Sequence, residues 1–160
     1  MKLSDIILII TAILTALMAG FFFSYSISVS LGLGKMSNEE FLNVMQNINR
    51  EVQNLIFFIC FFGSLILLFI ACFLHHNQHT FIFLVIATLF YLIGVFGVTI
   101  FVNVPLNNQL ELFDISNSTE INVKQMRDAF EKPWNFWNNI RTIASLISIL
   151  FVILACVLKK

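Results

Sequence analysis

The chain has 160 residues, of which 59% are hydrophobic and only 11% are charged. Soluble domains average about 25% charged residues, and a soluble chain of this length has too little interior to bury so much apolar surface. Nine basic residues balance nine acidic ones without forming a basic stripe, so no nucleic-acid partner is expected. The composition is typical of an integral membrane protein whose partner is membrane lipid.

Four apolar stretches without Asp, Glu, Lys or Arg occupy residues 6–33, 55–74, 81–104 and 142–158. A membrane-spanning helix needs about 20 residues to cross about 30 Å of hydrocarbon, a length that the fourth stretch reaches over residues 138–158. Helices are expected because each one satisfies its own backbone polar groups in lipid. The first stretch is too long for a signal peptide and is interpreted as a retained helix. The sequence therefore predicts an all-α, single-domain, multi-pass bundle of four helices in a plasma or bacterial inner membrane.

The connections between the predicted spans differ in length. Residues 34–54 and 105–141 form two long polar connections, whereas residues 75–80 form a short one. An even number of crossings places both long connections on one side of the membrane. We therefore expect the polar clusters to lie at one end of the bundle, opposite both termini and the short loop.

Polar and apolar residues alternate with helical spacing just before the second span. Gln46, Asn49 and Gln53 lie at i, i+3 and i+7 and share one face, whereas the opposite face carries Met45 and Ile48. This pattern predicts an amphipathic helix at about residues 38–54. Its amide-bearing face is either solvated or lines a site.

Amide and aromatic residues also surround the ends of the other spans. Pro105 is expected to end or kink the third span. The neighbouring Asn103 and Asn107 either satisfy the carbonyl groups that the proline frees or point towards a ligand. Pro133 is typical of a helix start, and a separate short helix near residues 123–132 would then precede the fourth span. Trp137 fits either an aromatic belt at the membrane surface or a site.

Arg141 opens the charge-free part of the fourth span and shares a helical face with Trp134 and Asn138. A guanidinium near the hydrocarbon edge is costly when it has no partner. It either extends outwards to lipid phosphates or pairs inside the bundle with Glu51, Glu131 or a ligand anion. We expect Arg141 to point inwards. Its expected neighbours are the amides of Asn49, Asn103, Asn107 and Asn138, followed by Gln46.

Neither the cysteines nor the histidines follow a metal-binding pattern. Cys60, Cys72 and Cys156 lie within apolar runs and have no CxxC spacing. The three histidines share the short loop at residues 75–80, which contains no carboxylate or cysteine. No metal site and no cofactor are expected.

Four motifs in order resemble a family of four-helix membrane proteins that includes the anthrone oxygenases. They are residues 19–26, residues 45–50, residues 94–99 followed by 103–107, and Trp134 followed by residues 137–142. The resemblance extends from about residue 10 to residue 155. Its oxygenase members add oxygen to an anthrone ring in polyketide pathways without an evident metal or organic cofactor. The resemblance thus implies a cofactor-independent oxidoreductase that acts on a lipophilic aromatic or quinol-like substrate.

The motif residues are the candidate site residues. Hydrogen-bond donors are needed to stabilise an enolate or phenolate oxygen, and this catalytic role is assigned to Arg141, Asn103, Asn107 and Asn138. Substrate binding is assigned to Tyr25, Gln46, Asn49, Trp134 and Trp137. The alternative is a non-catalytic membrane protein that binds a lipid or small molecule, or a subunit of a membrane complex, because arginine and amides also suit an anionic head group.

Overall fold

The computed structural model describes residues 2–158, which form five helices and no β-strand. In chain order these are α1 (Leu3–Leu33), α2 (Asn38–Glu51), α3 (Leu55–Leu74), α4 (Phe81–Glu111) and α5 (Glu120–Val157). All except α2 are long and apolar enough to cross a membrane. The predicted all-α bundle, with four spans and an amphipathic helix before the second span, is confirmed.

Side-chain caps begin both helix α2 and the following helix α3. The Ser37 hydroxyl accepts a hydrogen bond from the Glu40 backbone N–H at 3.3 Å, and the Glu40 carboxylate accepts one from the Ser37 N–H at 3.0 Å. This reciprocal pair is a capping box. The chain leaves the helix after Glu51, and the Asn54 side chain then caps α3 by accepting from the Phe57 N–H at 3.0 Å. The amphipathic helix is therefore separated from the second span by a short break at residues 52–54.

Helix α4 does not end at Pro105, which corrects the expected boundary at residue 104. Its segments Phe90–Gly97 and Thr99–Asn103 are π-helical, and an α-helical segment then runs from Val104 to Glu111. Pro105 lies in the first turn of that segment and inside the longer helix, where its missing N–H costs one backbone hydrogen bond. The helix therefore carries Asn107 on a regular turn beyond the proline.

Helix α5 is one continuous helix, so the helix predicted at residues 123–132 is its first part and not a separate short element. It passes through Pro133, although a proline inside a helix costs one backbone hydrogen bond. Val123 and Phe130 on its first turns are buried in one apolar cluster with Phe41 of α2. This packing keeps the segment before Pro133 helical.

Two apolar clusters organise the bundle. One lies among the spans and includes Phe22, Phe61 and Tyr91. The other lies between α2 and the neighbouring ends of α1, α4 and α5, and it includes Tyr25 and Trp134. Phe22 and Tyr25 are three residues apart on α1, so the two clusters meet beside this helix. The candidate site lies at that junction.

Gly94 permits close packing of α4 on α5. A Cβ atom at this position would overlap the Ala144 side chain, so the two helices must separate to accept any larger residue. We expect Gly94→Ala to lower the free energy of unfolding by about 1–3 kcal/mol, the usual cost of overpacking. The measurement is the thermal unfolding midpoint in a fixed detergent.

Gly20→Ala is the matched control for Gly94→Ala. Gly20 also lies within a span, but a Cβ atom there would meet nothing within 4 Å. Its unfolding midpoint should stay unchanged or rise slightly, because alanine favours the helix over glycine. Equal midpoints for the two variants would contradict close packing at Gly94.

Candidate functional site

The Arg141 guanidinium points into the bundle, as the sequence led us to expect. The residue is only 5% exposed. Its Nη2 donates to Asn138 Oδ1 at 2.9 Å, and its Nη1 donates to Thr99 Oγ1 at 3.3 Å. The guanidinium carbon lies 4.7 Å from the centre of the Phe22 ring and 5.1 Å from that of Trp134. The cation is thus held between aromatic faces and neutral oxygen atoms.

No carboxylate of the described residues pairs with Arg141. Glu131, one expected partner, binds Arg127 at 2.7 Å instead. Glu51, the other, is exposed at the end of α2. A buried cation without a counter-ion is costly, and the surrounding hydroxyl, amide and ring groups carry no formal charge. The site therefore holds an excess positive charge that an anion would balance.

A network of short side chains fixes the Asn138 amide. Its Nδ2 donates to Ser26 Oγ at 2.9 Å and to the Phe22 carbonyl at 3.4 Å, which leaves Oδ1 free to accept from Arg141. Ser26 Oγ also lies 3.0 Å from Thr142 Oγ1, and Thr142 donates to the Asn138 carbonyl at 2.9 Å. Helix α1 thereby orients the amide that holds the guanidinium of α5.

Thr99 lies on α4, the third membrane-spanning helix of the bundle, and accepts a hydrogen bond from the guanidinium. It opens the π-helical segment Thr99–Asn103 of α4 and donates its hydroxyl to the Val95 carbonyl at 2.7 Å. Its oxygen therefore remains available as an acceptor for Arg141. A π-turn changes the direction of the side chains that follow it, and such turns are frequent at functional sites.

A cavity of about 210 Å³ opens beside Arg141. Most of its wall is aromatic or aliphatic, and the polar part is formed by amides, hydroxyls and the guanidinium. None of the lining residues is Asp, Glu, His or Cys. Seven predicted site residues line it, namely Tyr25, Asn49, Asn103, Asn107, Trp134, Asn138 and Arg141.

The other two predicted site residues lie away from the cavity. Gln46 donates Nε2 to the carbonyls of Leu110 at 2.8 Å and Phe113 at 3.1 Å, so it ties α2 to the end of α4. Trp137 is half-buried and packs edge-on against Phe136, with ring centres 5.4 Å apart. Gln46 is thus held by hydrogen bonds and Trp137 by ring packing, and neither residue lines the cavity.

Three lining residues carry a buried polar atom without a hydrogen-bond partner. These atoms are Asn49 Nδ2, Asn103 Oδ1 and Arg141 Nε. Within residues 2–158 the only other such atom belongs to Thr80, in the short loop between α3 and α4. Buried polar groups are nearly always paired, so these two donors and one acceptor are available to bind a ligand or water in the cavity.

The expected direct bonds from Arg141 to three other amides are not formed. Asn107 Oδ1 instead accepts from the Trp134 indole N–H at 2.7 Å, and Asn103 Nδ2 reaches the Trp134 carbonyl at 3.4 Å. Asn49 makes no side-chain bond through its Nδ2. These amides line the same cavity as the guanidinium but do not bond to it.

A sequence model of the anthrone oxygenase family matches residues 45–151, more than half of the chain. The chain belongs to the anthrone oxygenase family. No curated protein and no solved structure matches it. The matched region includes every cavity-lining residue predicted from the sequence except Tyr25, which lies before it.

Three residues of this anthrone oxygenase family site lie within the motifs at residues 19–26 and 94–99 but received no individual role from the sequence. Thr99 had a signal, because Thr99, Asn103 and Asn107 are spaced by four residues and share one helix face. Ser26 lies in the polar run at the end of the first apolar stretch, where only Tyr25 was chosen. Phe22 also lies in the motif at residues 19–26, but the sequence does not distinguish it from the neighbouring Phe21 and Phe23.

Tyr25 and Trp134 form the side of the cavity next to α2. Their ring centres lie 4.6 Å apart. The Tyr25 hydroxyl donates to the Met45 thioether at 3.4 Å, and a thioether sulfur is a weak acceptor. The Tyr25 hydroxyl can therefore donate to a ligand oxygen instead, and only a weak hydrogen bond to sulfur is lost.

Proposed function

We propose that this member of the anthrone oxygenase family binds the ionised oxygen of a lipophilic phenol or enol beside Arg141 and promotes its oxidation by O2. The observation that carries the proposal is the buried guanidinium, which has no carboxylate partner and an unpaired Nε at an aromatic-lined cavity. An aromatic oxyanion supplies both the missing charge and the matching apolar surface.

Arg141 is proposed to act by electrostatic stabilisation. An opposite charge within a few ångströms favours the ionised form of an acid and therefore lowers the pKa of a bound phenol or enol. The effect is strong where water is excluded. Because no carboxylate or imidazole lines the cavity, ionisation is driven by Arg141 and the proton passes to water.

The remaining polar atoms are proposed to orient the substrate. Asn49 Nδ2 can donate to a second oxygen of the ligand, and Asn103 Oδ1 can accept from a ligand hydroxyl. Thr99 and Asn138 are positioning residues, because they hold the guanidinium. For anthrone, the enolate would present its electron-rich ring carbon to O2.

The overall reaction converts anthrone and O2 into anthraquinone and water. The two C–H bonds of the ring CH2 group break and their electrons reduce O2. One oxygen atom of O2 forms the new carbonyl group, and the other leaves as water with the two hydrogens. O2 is the only oxidant that this balance requires.

The test is oxygen incorporation by the purified protein in lipid nanodiscs. With anthrone and isotopically labelled O2, we expect labelled anthraquinone to form faster than in empty nanodiscs, since anthrone also oxidises slowly on its own. Mass spectrometry measures both rate and label. A rate equal to that of empty nanodiscs would contradict the proposal.

Small molecules extracted from the gently purified protein provide a second observation. A bound aromatic or quinone would support the proposal. Phospholipid as the sole bound species, together with no anthrone turnover, would favour the non-catalytic lipid-binding alternative.

A further inference from the structure

The Arg141 cavity reaches the lipid-facing surface between α3 and α4. Four apolar residues of its wall are partly exposed, with exposed fractions of 39% for Phe58, 41% for Phe62, 38% for Ile100 and 37% for Val104. All four lie within predicted membrane spans. The cavity wall on this side is therefore also part of the surface that contacts lipid.

Helices α3 and α4 diverge towards this opening. They pack together near the short loop that joins them and separate along the segment Thr99–Asn103. At the point of divergence Phe96 stacks on Phe61 at 5.4 Å and meets Phe62 at 5.9 Å between ring centres. These aromatic rings form the closed end of a wedge-shaped gap that leads to the guanidinium. We call this gap the α3–α4 window.

Other parts of the bundle around Arg141 are more closely packed, although Gln53 and Asn108 of the cavity wall are exposed at the polar end. Helix α2 covers the polar end of the bundle, where Phe41, Leu42 and Met45 are almost fully buried. Between α1 and α3, the Phe21 and Phe57 rings lie 5.6 Å apart. Both rings line the Arg141 cavity and also a second, largely apolar cavity of about 490 Å³.

From these observations, and on the basis of the proposed function, we infer that substrate enters from the bilayer through the α3–α4 window and keeps its hydrocarbon part there. Cavity size supports a substrate that extends beyond the cavity. An engineered cavity of about 150 Å³ holds benzene, so a cavity of about 210 Å³ accommodates little more than one ring. A polycyclic or alkylated phenol would place its oxygen at Arg141 and its remaining apolar surface in the window.

A matched pair of isoleucine-to-tryptophan variants tests the window. Ile100→Trp adds bulk at the window, whereas Ile56→Trp adds the same bulk on the opposite side of α3, where Ile56 lines only the apolar cavity. The measurement is the association and dissociation rate of 1-naphthol in nanodiscs. Because an obstructed path slows both directions, we expect Ile100→Trp to lower both rates by about tenfold. Ile56→Trp should leave them within about twofold.

Phe62→Ala tests the opposite change, a wider window. Removing this ring widens the window, so both rates should rise while the dissociation constant changes less than either rate. Phe69→Ala is the control, because Phe69 is exposed on α3 and lines none of these cavities. Phe62→Ala and Phe69→Ala also keep the inference testable if the Ile100→Trp protein fails to fold.

Three results would overturn the inference. Rates that change equally little in Ile100→Trp and Ile56→Trp would exclude the window while leaving the proposed function intact. A changed dissociation constant with an unchanged association rate would make Ile100 a ligand contact and not part of a path. Absence of 1-naphthol binding by the parent protein would overturn the proposed function, and the inference with it.

Discussion

Arg141→Met is expected to abolish the preference for ionised phenols while the helical bundle remains folded. The affinity should fall because a hydrogen bond to a charged group contributes about 1.5–3 kcal/mol, which corresponds to roughly 10- to 150-fold in the dissociation constant. Stability should be maintained or increase, because methionine removes a buried charge that has no counter-ion. The thermal unfolding midpoint and circular dichroism measure the fold separately from binding.

The pH dependence of 1-naphthol binding gives a direct readout of this charge. A cation favours the anionic form, so naphthol bound to the parent protein should ionise at a lower pH than free naphthol. In Arg141→Met the bound naphthol should ionise at the same pH as in empty nanodiscs or higher. Absorbance distinguishes the phenol from the phenolate at each pH.

A neutral ligand provides the control for Arg141→Met. 1-Methoxynaphthalene has the same ring system but no acidic proton, so parent and variant should bind it with similar affinity. A variant that loses both ligands equally would have lost the shape of the cavity. A variant that keeps the low ionisation pH of naphthol would contradict the role assigned to Arg141.

The sequence was sufficient to predict the number and type of helices. A continuous charge-free run of spanning length has few alternatives in lipid, and the predicted span at residues 55–74 coincides with α3. The ends of α4 and α5 were not predictable in the same way. They depend on contacts such as that of Phe130 with Phe41, whose rings lie 6.3 Å apart although the residues are distant in the chain.

The candidate site was predictable as a set of residues but not as a set of bonds. Helical periodicity shows that Trp134, Asn138 and Arg141 share a face, but it does not show which group on another helix each one meets. Asn107 binds the Trp134 indole and Thr99 binds Arg141, an outcome set by the π-helical turns of α4. Those turns have no clear signature in the sequence.

Asn138→Asp is expected to weaken ligand binding without lowering the stability of the protein. The amide oxygen of Asn138 already lies 2.9 Å from Arg141 Nη2. An isosteric carboxylate at this position would form a buried ion pair with the guanidinium, and the Ser26 hydroxyl, 2.9 Å from the amide nitrogen, can turn to donate to it. Charge-assisted bonds of this type are among the strongest in proteins.

This carboxylate would pair with Arg141 in place of the substrate oxygen. We therefore expect Asn138→Asp to weaken phenolate binding by at least about tenfold, equivalent to about 1.4 kcal/mol, and to slow anthrone turnover, while the unfolding midpoint stays the same or rises. Asn139→Asp makes the same chemical change on the adjacent, exposed residue and should leave binding and turnover unchanged. Because Asn138→Asp retains the arginine and the shape of the cavity, a loss of binding would be due to charge. If it binds naphtholate as tightly as the parent protein, the excess charge of Arg141 is not what holds the anion.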